Sequence, residues 1–308
     1  MTLTALLLQQ TINGLSLGAL YALLALGFTL VYGILELINF SHFNVFMVGS
    51  FIGLGVLQMF GLTGQDLVLT GLSLAGVLLV AFVVTMVSSG LIGVVIERLC
   101  LRPLRNVKGP AAMITTIGVS YILFNIILLG VGAQALNYPN PLPRVQFQVY
   151  GATLDLRVVL IWIVALVLML ALHLFVQNSR MGKAMRATAQ DPEAARMMGV
   201  EVDKVVMLAF FLGSALAGAA GLIFGLYYNF TSFIIGFTAG LRAFTAAVLG
   251  GIGNVPGAMV GGLIIGLTEA LGGQIAGAWI DVFIFSILVL VLVFKPSGLF
   301  GRVAPNKS

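Results

Sequence analysis

Charge is what this chain has least of. Ten acidic and 15 basic residues among 308 amount to 8% of the sequence, where a water-soluble domain carries about 25%. So few charges do not cover a soluble surface, and the apolar excess needs lipid as its solvent. Cysteine occurs once, at Cys100, which excludes an intrachain disulfide. The two histidines, His42 and His173, have no further ligands at metal spacing, so neither a zinc nor a haem site is expected. No Ser/His/Asp, Cys/His or paired-carboxylate set can be assembled, which argues against an enzyme, and no cofactor is expected. The segment from Met1 to Gln10 has no Lys or Arg, so the basic start of a cleavable leader is missing and the first apolar stretch reads as a retained span. Nowhere does G-x-x-x-x-G-K-[ST] occur. Gly182-Lys183 is followed by Ala184, so the loop that cradles ATP phosphates is absent.

What remains is apolar: 60% of residues are hydrophobic and mean hydropathy is +1.13. The runs cover Gln10 to Tyr32, a second stretch ending near Phe60, Leu67 to Ile96, Ala111 to Val131, Val158 to Val176 and Val205 to Tyr228. Glycine-broken stretches follow from Phe233 to Phe294. This pattern predicts an all-α integral membrane protein, a polytopic bundle of roughly eight to ten transmembrane helices of about 20 residues each. Some of these helices are broken, and a single transmembrane domain spans residues 1–308.

The net charge of +5 is not a nucleic-acid signature, because the basic residues sit in short clusters between apolar runs. The cluster of Arg98, Arg102, Arg105 and Lys108, the segment Arg180 to Lys204, and a tail with Lys295, Arg302 and Lys307 should all face the cytoplasm. For the tail to do so, the chain after Tyr228 must cross an odd number of times, and three short crossings fit. Four G-x-x-x-G pairs, Gly14/Gly18, Gly221/Gly225, Gly257/Gly261 and Gly262/Gly266, let helix backbones approach closely. They either pack helices within the subunit or mark a subunit interface. Two interruptions, Ile38 to Asn44 and Leu249 to Gly257, read either as broken helices facing a path or as ordinary turns at the membrane surface.

The charged segment contains a short helix with both ends marked. Asp191 suits the N-cap, Pro192 the first helical position, and Glu193 the positive helix end, while Gly199 suits a left-handed stop. Ala194, Ala195, Met197 and Met198 between them are compatible with helix. Two turns do not stand alone in water, so the helix must dock on something. Just before it, Arg180, Lys183 and Arg186 fall on neighbouring positions of one helical face, placed to meet lipid phosphates or a partner.

Glu193, Ala194 and Ala195, with Gly199 after three more residues, resemble the EAA loop of ABC importer permeases, although the I-x-L-P ending of that motif is absent. Asn39-Phe40 with His42, the stretch Ala243 to Ala258, and the close Lys295-Pro296-Ser297-Gly298-Leu299-Phe300-Gly301 look like the LivH-type permease of branched-chain amino acid importers. The resemblance runs from Gly14 to Gly301. It implies that Asp191 to Gly199, in a cytoplasmic segment of about 180–204, inserts into a groove of an ATPase subunit and transmits nucleotide-driven closure. It also implies the partners: two ABC ATPases, a second, LivM-type permease and a periplasmic substrate-binding protein, in a bacterial inner membrane. The family usually has glycine and often an acidic residue after the histidine. Phe43 and Asn44 stand there in this chain, a bulkier and uncharged lining that bears on the substrate.

Asn39, Ser41, His42 and Asn44 in the first interruption, with Thr245 and Asn254 in the second half, are the candidates for lining a translocation path. A hydrogen-bonding role in structure is the alternative for His42. Glu36, Arg242 and Glu269 lie within or beside apolar runs, where charged side chains usually face a partner or a cavity. An Arg242–Glu269 pair is one possibility, although spacing does not support it, and a position near the surface with the charge in water is at least as open. The expected function is that of a permease for branched-chain or other hydrophobic amino acids. Its rivals are a permease for urea or another small polar solute, and an ATPase-independent secondary transporter.

Overall fold

A computed structural model describes residues 2–63, 71–105, 107, 109–143 and 145–301. Residues 64–70, Lys108, Arg302 and Lys307 lie outside them. The chain runs through α1 (Leu3–Leu35), α2 (Ser41–Met59), α3 (Gly71–Ile96), α4 (Ala111–Val131), α5 (Leu156–Asn178), α6 (Arg180–Gln190), α7 (Pro192–Met197), α8 (Val202–Tyr228), α9 (Ile235–Gly250), α10 (Val255–Ala276) and α11 (Ile280–Phe294). A π-helical turn, Glu97–Leu101, extends α3.

Seven helical stretches among the described residues are long and apolar enough to cross a membrane. The last, 255–294, is two antiparallel helices. The chain reverses at Gly277, where φ is 52°, and after α11 the Phe300 N–H returns to the Gly250 carbonyl (3.1 Å), beside the start of α10. α9, α10 and α11 are thus the three crossings expected after Tyr228, and α9 and α11 are the short ones.

The connection between α4 and α5 is not bare loop. It carries β1 (Leu136–Asn137), paired antiparallel with β4 (Phe230–Thr231), and a hairpin of β2 (Gln146–Val149) and β3 (Ala152–Asp155). The hairpin closes on Tyr150 and Gly151, both at positive φ (48° and 82°), the two-residue turn whose twist matches paired strands. Thr153 N–H donates to Gln9 Oε1 (2.8 Å), so the start of α1 lies at this end.

The basic segments gather at the opposite end. Arg102 and Arg105 both reach Asp203 at the start of α8, Arg105 also pairs with buried Glu97, and Arg186 donates to the carbonyls of Val176 and Gln177 at the end of α5. Leu299 N–H donates to the Leu249 carbonyl (2.8 Å), tying the tail to the same end. By the positive-inside rule this end is cytoplasmic.

The core is a tight group of α1, α8, α9 and α10, with α2 packed on α8. Its seams are made of glycine. A methyl group on Gly14 would sit 2.9 Å from Leu267 Cα, and one on Gly18 would sit 2.8 Å from Leu263 Cα, so α1 and α10 touch backbone to backbone. Gly221 faces the α2 backbone at Phe46 and Ser50, and Gly261 faces α9 at Ala246 and Gly250. All four G-x-x-x-G pairs serve contacts within this chain. In lipid, where apolar burial drives little, such close packing supplies the cohesion.

Candidate translocation and coupling sites

The first interruption lies at depth. α1 continues to Leu35, yet His42, in the first turn of α2, sits beside Leu24, its Nε2 3.2 Å from the Leu24 carbonyl. Leu24 is about 16 Å from Leu35 along the helix. The non-helical residues Glu36 to Phe40 cover that distance, since extended chain rises about 3.3 Å per residue. The turn starts at Glu36, whose φ is 52°.

Backbone without helical hydrogen bonds survives at this depth only if other groups satisfy it. Asn39 Oδ1 accepts from Ser41 N–H (3.1 Å) and Ser41 Oγ (2.5 Å), and Phe40 N–H donates to Thr116 Oγ1 (3.2 Å) on α4. Asn44 Nδ2 donates to the carbonyl and hydroxyl of Ser120, both at 2.7 Å. Phe43 lies against Gly240 of α9 and the ring of Phe28. Asn39, Ser41, His42, Phe43 and Asn44 are all buried, so protein rather than lipid surrounds this break.

The other candidates stand elsewhere. Thr245, also buried, turns its hydroxyl back to the Leu241 carbonyl of its own helix (2.9 Å). Asn254 caps α10 by accepting from Gly257 N–H (3.1 Å) and holds the tail by donating to the Phe300 carbonyl (2.7 Å). The second interruption is therefore a turn at the cytoplasmic end, with Gly251 and Gly253 at positive φ. The structure brings the first four candidates together and sets Thr245 and Asn254 apart from them.

Spacing gave no sign of the charged cluster in the outer half. Arg242 of α9 pairs with Glu269 of α10 through Nη1, and through Nε and Nη2 with Asp281 Oδ1 at the start of α11 (3.1 and 2.7 Å). Tyr21 of α1 donates to Glu269 Oε2 (2.7 Å) and accepts from Arg242 Nη1 (3.3 Å). Arg242 and Glu269 are largely buried and Asp281 is half exposed. Neither Arg242 nor Glu269 reaches surface water alone; each meets a partner, as charges within spans generally do. A cavity of about 270 Å³ opens beside Arg242 and Tyr21, between α8, α9 and β4.

On the cytoplasmic face, α7 has the ends its sequence marks. Asp191 accepts from the N–H groups of Glu193 (2.9 Å) and Ala194 (3.0 Å). At the other end Gly199 sits at φ 85°, with Val200 N–H donating to the Ala195 carbonyl and Gly199 N–H to that of Arg196, both at 3.0 Å. This bond pair is the Schellman stop that needs a left-handed residue. Ala195 is buried against the protein, whereas Met197 and Met198 are 82% and 84% exposed.

α6 is the platform under α7. Ser179 caps it by accepting from Gly182 N–H (2.8 Å), and Gly182, Met185 and Thr188 are buried along one face. Met185 and Arg186 share a small cavity with Gly33 and Ile34 of α1 and with Gly253 and Val255 of the α9–α10 turn. α6 packs against both α7 and α1. Among the described residues no group of three or more His, Cys, Asp or Glu side chains is placed to hold a metal ion.

A family described as the permease component of the branched-chain amino acid transport system matches residues 10–293. The high-affinity branched-chain amino acid transport system permease protein LivH of Escherichia coli strain K12 is 42% identical, over 97% of both chains. BraD of Pseudomonas aeruginosa, the permease protein of a transport system of the same description, is 39% identical, over 97% of both chains. A probable branched-chain amino acid transport permease protein, LivH of Methanocaldococcus jannaschii, is 33% identical, over 82% of this chain and 76% of its own. No solved structure matches the chain.

Proposed function

Because the chain belongs to the family of branched-chain amino acid transport permeases, we propose that it forms one membrane-spanning half of an ATP-driven importer of branched-chain amino acids. It is a multi-pass membrane protein and a transport permease rather than an enzyme. The partners in this reading are two ABC ATPases, a second permease of LivM type and a periplasmic binding protein, assembled in a bacterial inner membrane.

The observation that carries the reading is α7. It is a two-turn helix fixed at both ends, held over the cytoplasmic face, with two adjacent methionines in water. Burying a Met side chain is worth about 1.5–3 kcal/mol, so Met197 and Met198 are a strong anchor for a grooved partner. ATP binding closes the paired ATPases, their motion carries Asp191 to Gly199 with it, and α6 relays the displacement to α1 and the α9–α10 turn. The path between the two permeases then opens outward. Asn39, Ser41, His42 and Asn44 sit where α1, α2, α4 and α9 meet, and in this mechanism they form the joint about which those helices rearrange. Selectivity resides largely in the binding protein, since tight binding within the membrane would slow exit.

The test is uptake of leucine by the complete complex, with assembly checked by co-purification. Glu193→Arg and Gly199→Pro are expected to abolish uptake while the permease pair still assembles. Met198→Cys, in a Cys100→Ser background, is expected to cross-link to an ATPase subunit. Unchanged uptake, or a cross-link to no ATPase, overturns the coupling role.

A further inference from the structure

Three cavities in the described part of the fold are lined by different chemistry. The groove of about 440 Å³ between α3 and α5 is lined by apolar residues alone. The one at the cytoplasmic end measures about 60 Å³, too small for an amino acid. The cavity of about 270 Å³ in the outer half combines an aromatic and aliphatic wall with a polar end. Phe224, Tyr228, Phe230 and Ile235 make the wall, and Tyr21, Ser232, Thr238 and Arg242 supply the polar groups.

The polar end is incomplete in two respects. The Ser232 hydroxyl makes no hydrogen bond among the described residues and, unlike the fully buried polar atoms, opens on the cavity, although the residue as a whole is only 6% exposed. Arg242 directs Nε and one N–H of Nη2 at Asp281 and both N–H groups of Nη1 at Tyr21 and Glu269, which leaves one of the five guanidinium donors unused. The cluster also holds one guanidinium against two carboxylates, Glu269 and Asp281, so a negative charge is left over.

These features discriminate between ligands. A free carboxylate is repelled by the surplus anion. An apolar solute leaves Ser232 and the spare Arg242 N–H unpaired. A group bearing both charges, with an aliphatic tail, meets every requirement. Resting on the function proposed above, we propose that this cavity is a transit site for an aliphatic α-amino acid. The carboxylate accepts from Ser232 and Arg242, the ammonium group offsets the surplus charge of the carboxylate pair, and the side chain lies on the aromatic wall. The site orients a substrate entering from the outer side and sets an upper limit on its side chain.

The experiment uses the complete complex in proteoliposomes, with L-leucine and L-valine as substrates and L-photo-leucine as a labelling probe. Ala239, small and buried on the cavity wall, is replaced in Ala239→Leu. Ser232→Ala removes a polar group without adding bulk. Pockets discriminate one methylene by about tenfold or more, so Ala239→Leu is expected to lower leucine transport about tenfold relative to valine, with ATPase stimulation retained. Ser232→Ala is expected to lower both rates several-fold, and photo-leucine is expected to label the 224–239 segment during turnover. If Ala239→Leu does not assemble, Ser232→Ala and the labelling carry the test. A wild-type complex that moves no branched-chain amino acid overturns the function proposed above. A wild-type complex that does, with Ala239→Leu affecting both substrates equally, Ser232→Ala leaving the rates unchanged and the label elsewhere, overturns the site alone.

Discussion

α1 and α4 are both apolar enough to cross a membrane, and the fold treats them in opposite ways. α1 is buried along most of its length, whereas α4 buries only Ala112 and Thr116. Hydropathy does not separate them; the surroundings of their glycines do. Gly14 and Gly18 on α1 stand against the α10 backbone, while a methyl group on Gly118 or Gly130 of α4 would meet nothing within 4 Å. A small residue in a span is structural only where another backbone occupies the space its side chain would fill.

The comparison breaks most visibly at Gly266, which faces Gly14 and Gly18 across the α1–α10 seam. Gly266→Leu is expected to cost more than about 3 kcal/mol, since a packed backbone cannot yield, and to show as loss of folded protein in detergent-extraction and thermal-unfolding assays. Next comes Arg242→Ala, at the outer rim of the same packed half. Removing one partner of a largely buried pair costs about 3–5 kcal/mol, and adding Glu269→Gln should restore part of it in the same unfolding measurement. A smaller effect is expected at α7, which is exposed like α4 but defined by its caps. Asp191→Ala should cost about 1 kcal/mol of local helix stability, read as faster hydrogen exchange at the Glu193 and Ala194 amides with the transmembrane core unaffected. Smallest of all is Gly118→Leu on α4, expected within about 0.5 kcal/mol of the parent. A large loss there would show that this face of α4 is covered in the membrane.

How far the sequence speaks follows the same division between local and distant causes. The caps of α7 were legible because Asp191 and Gly199 act on their own neighbours. The three crossings after Tyr228 followed from the positions of a few basic residues. The Arg242–Glu269 pair could be named from the sequence only as one possibility, since two helices joined by a turn set the register between them and no spacing rule encodes it. The climb from Glu36 to Phe40 was visible only as an interruption. Its depth depends on Thr116 and Ser120 of another helix, which bond the freed groups. The β2–β3 hairpin left one trace, Tyr150-Gly151 between short alternating stretches, inside a connection that otherwise reads as loop.

α4 has few neighbours along its length, yet its two flanks are fastened to the same helix. Inside the cell Arg102 and Arg105 bind Asp203 at the foot of α8, and outside β1 pairs with β4 while Asn140 donates to the Leu226 carbonyl near the top of α8 (2.8 Å). α8 therefore acts as a yardstick: it sets the span between the anchorages, and α4 is strung across it like a bow. A strut pinned in this way cannot slide along the bilayer normal or drift off into lipid. Thr116 and Ser120 also tie it to the break before α2, so any flexure of the strut between its pins bears directly on Asn44.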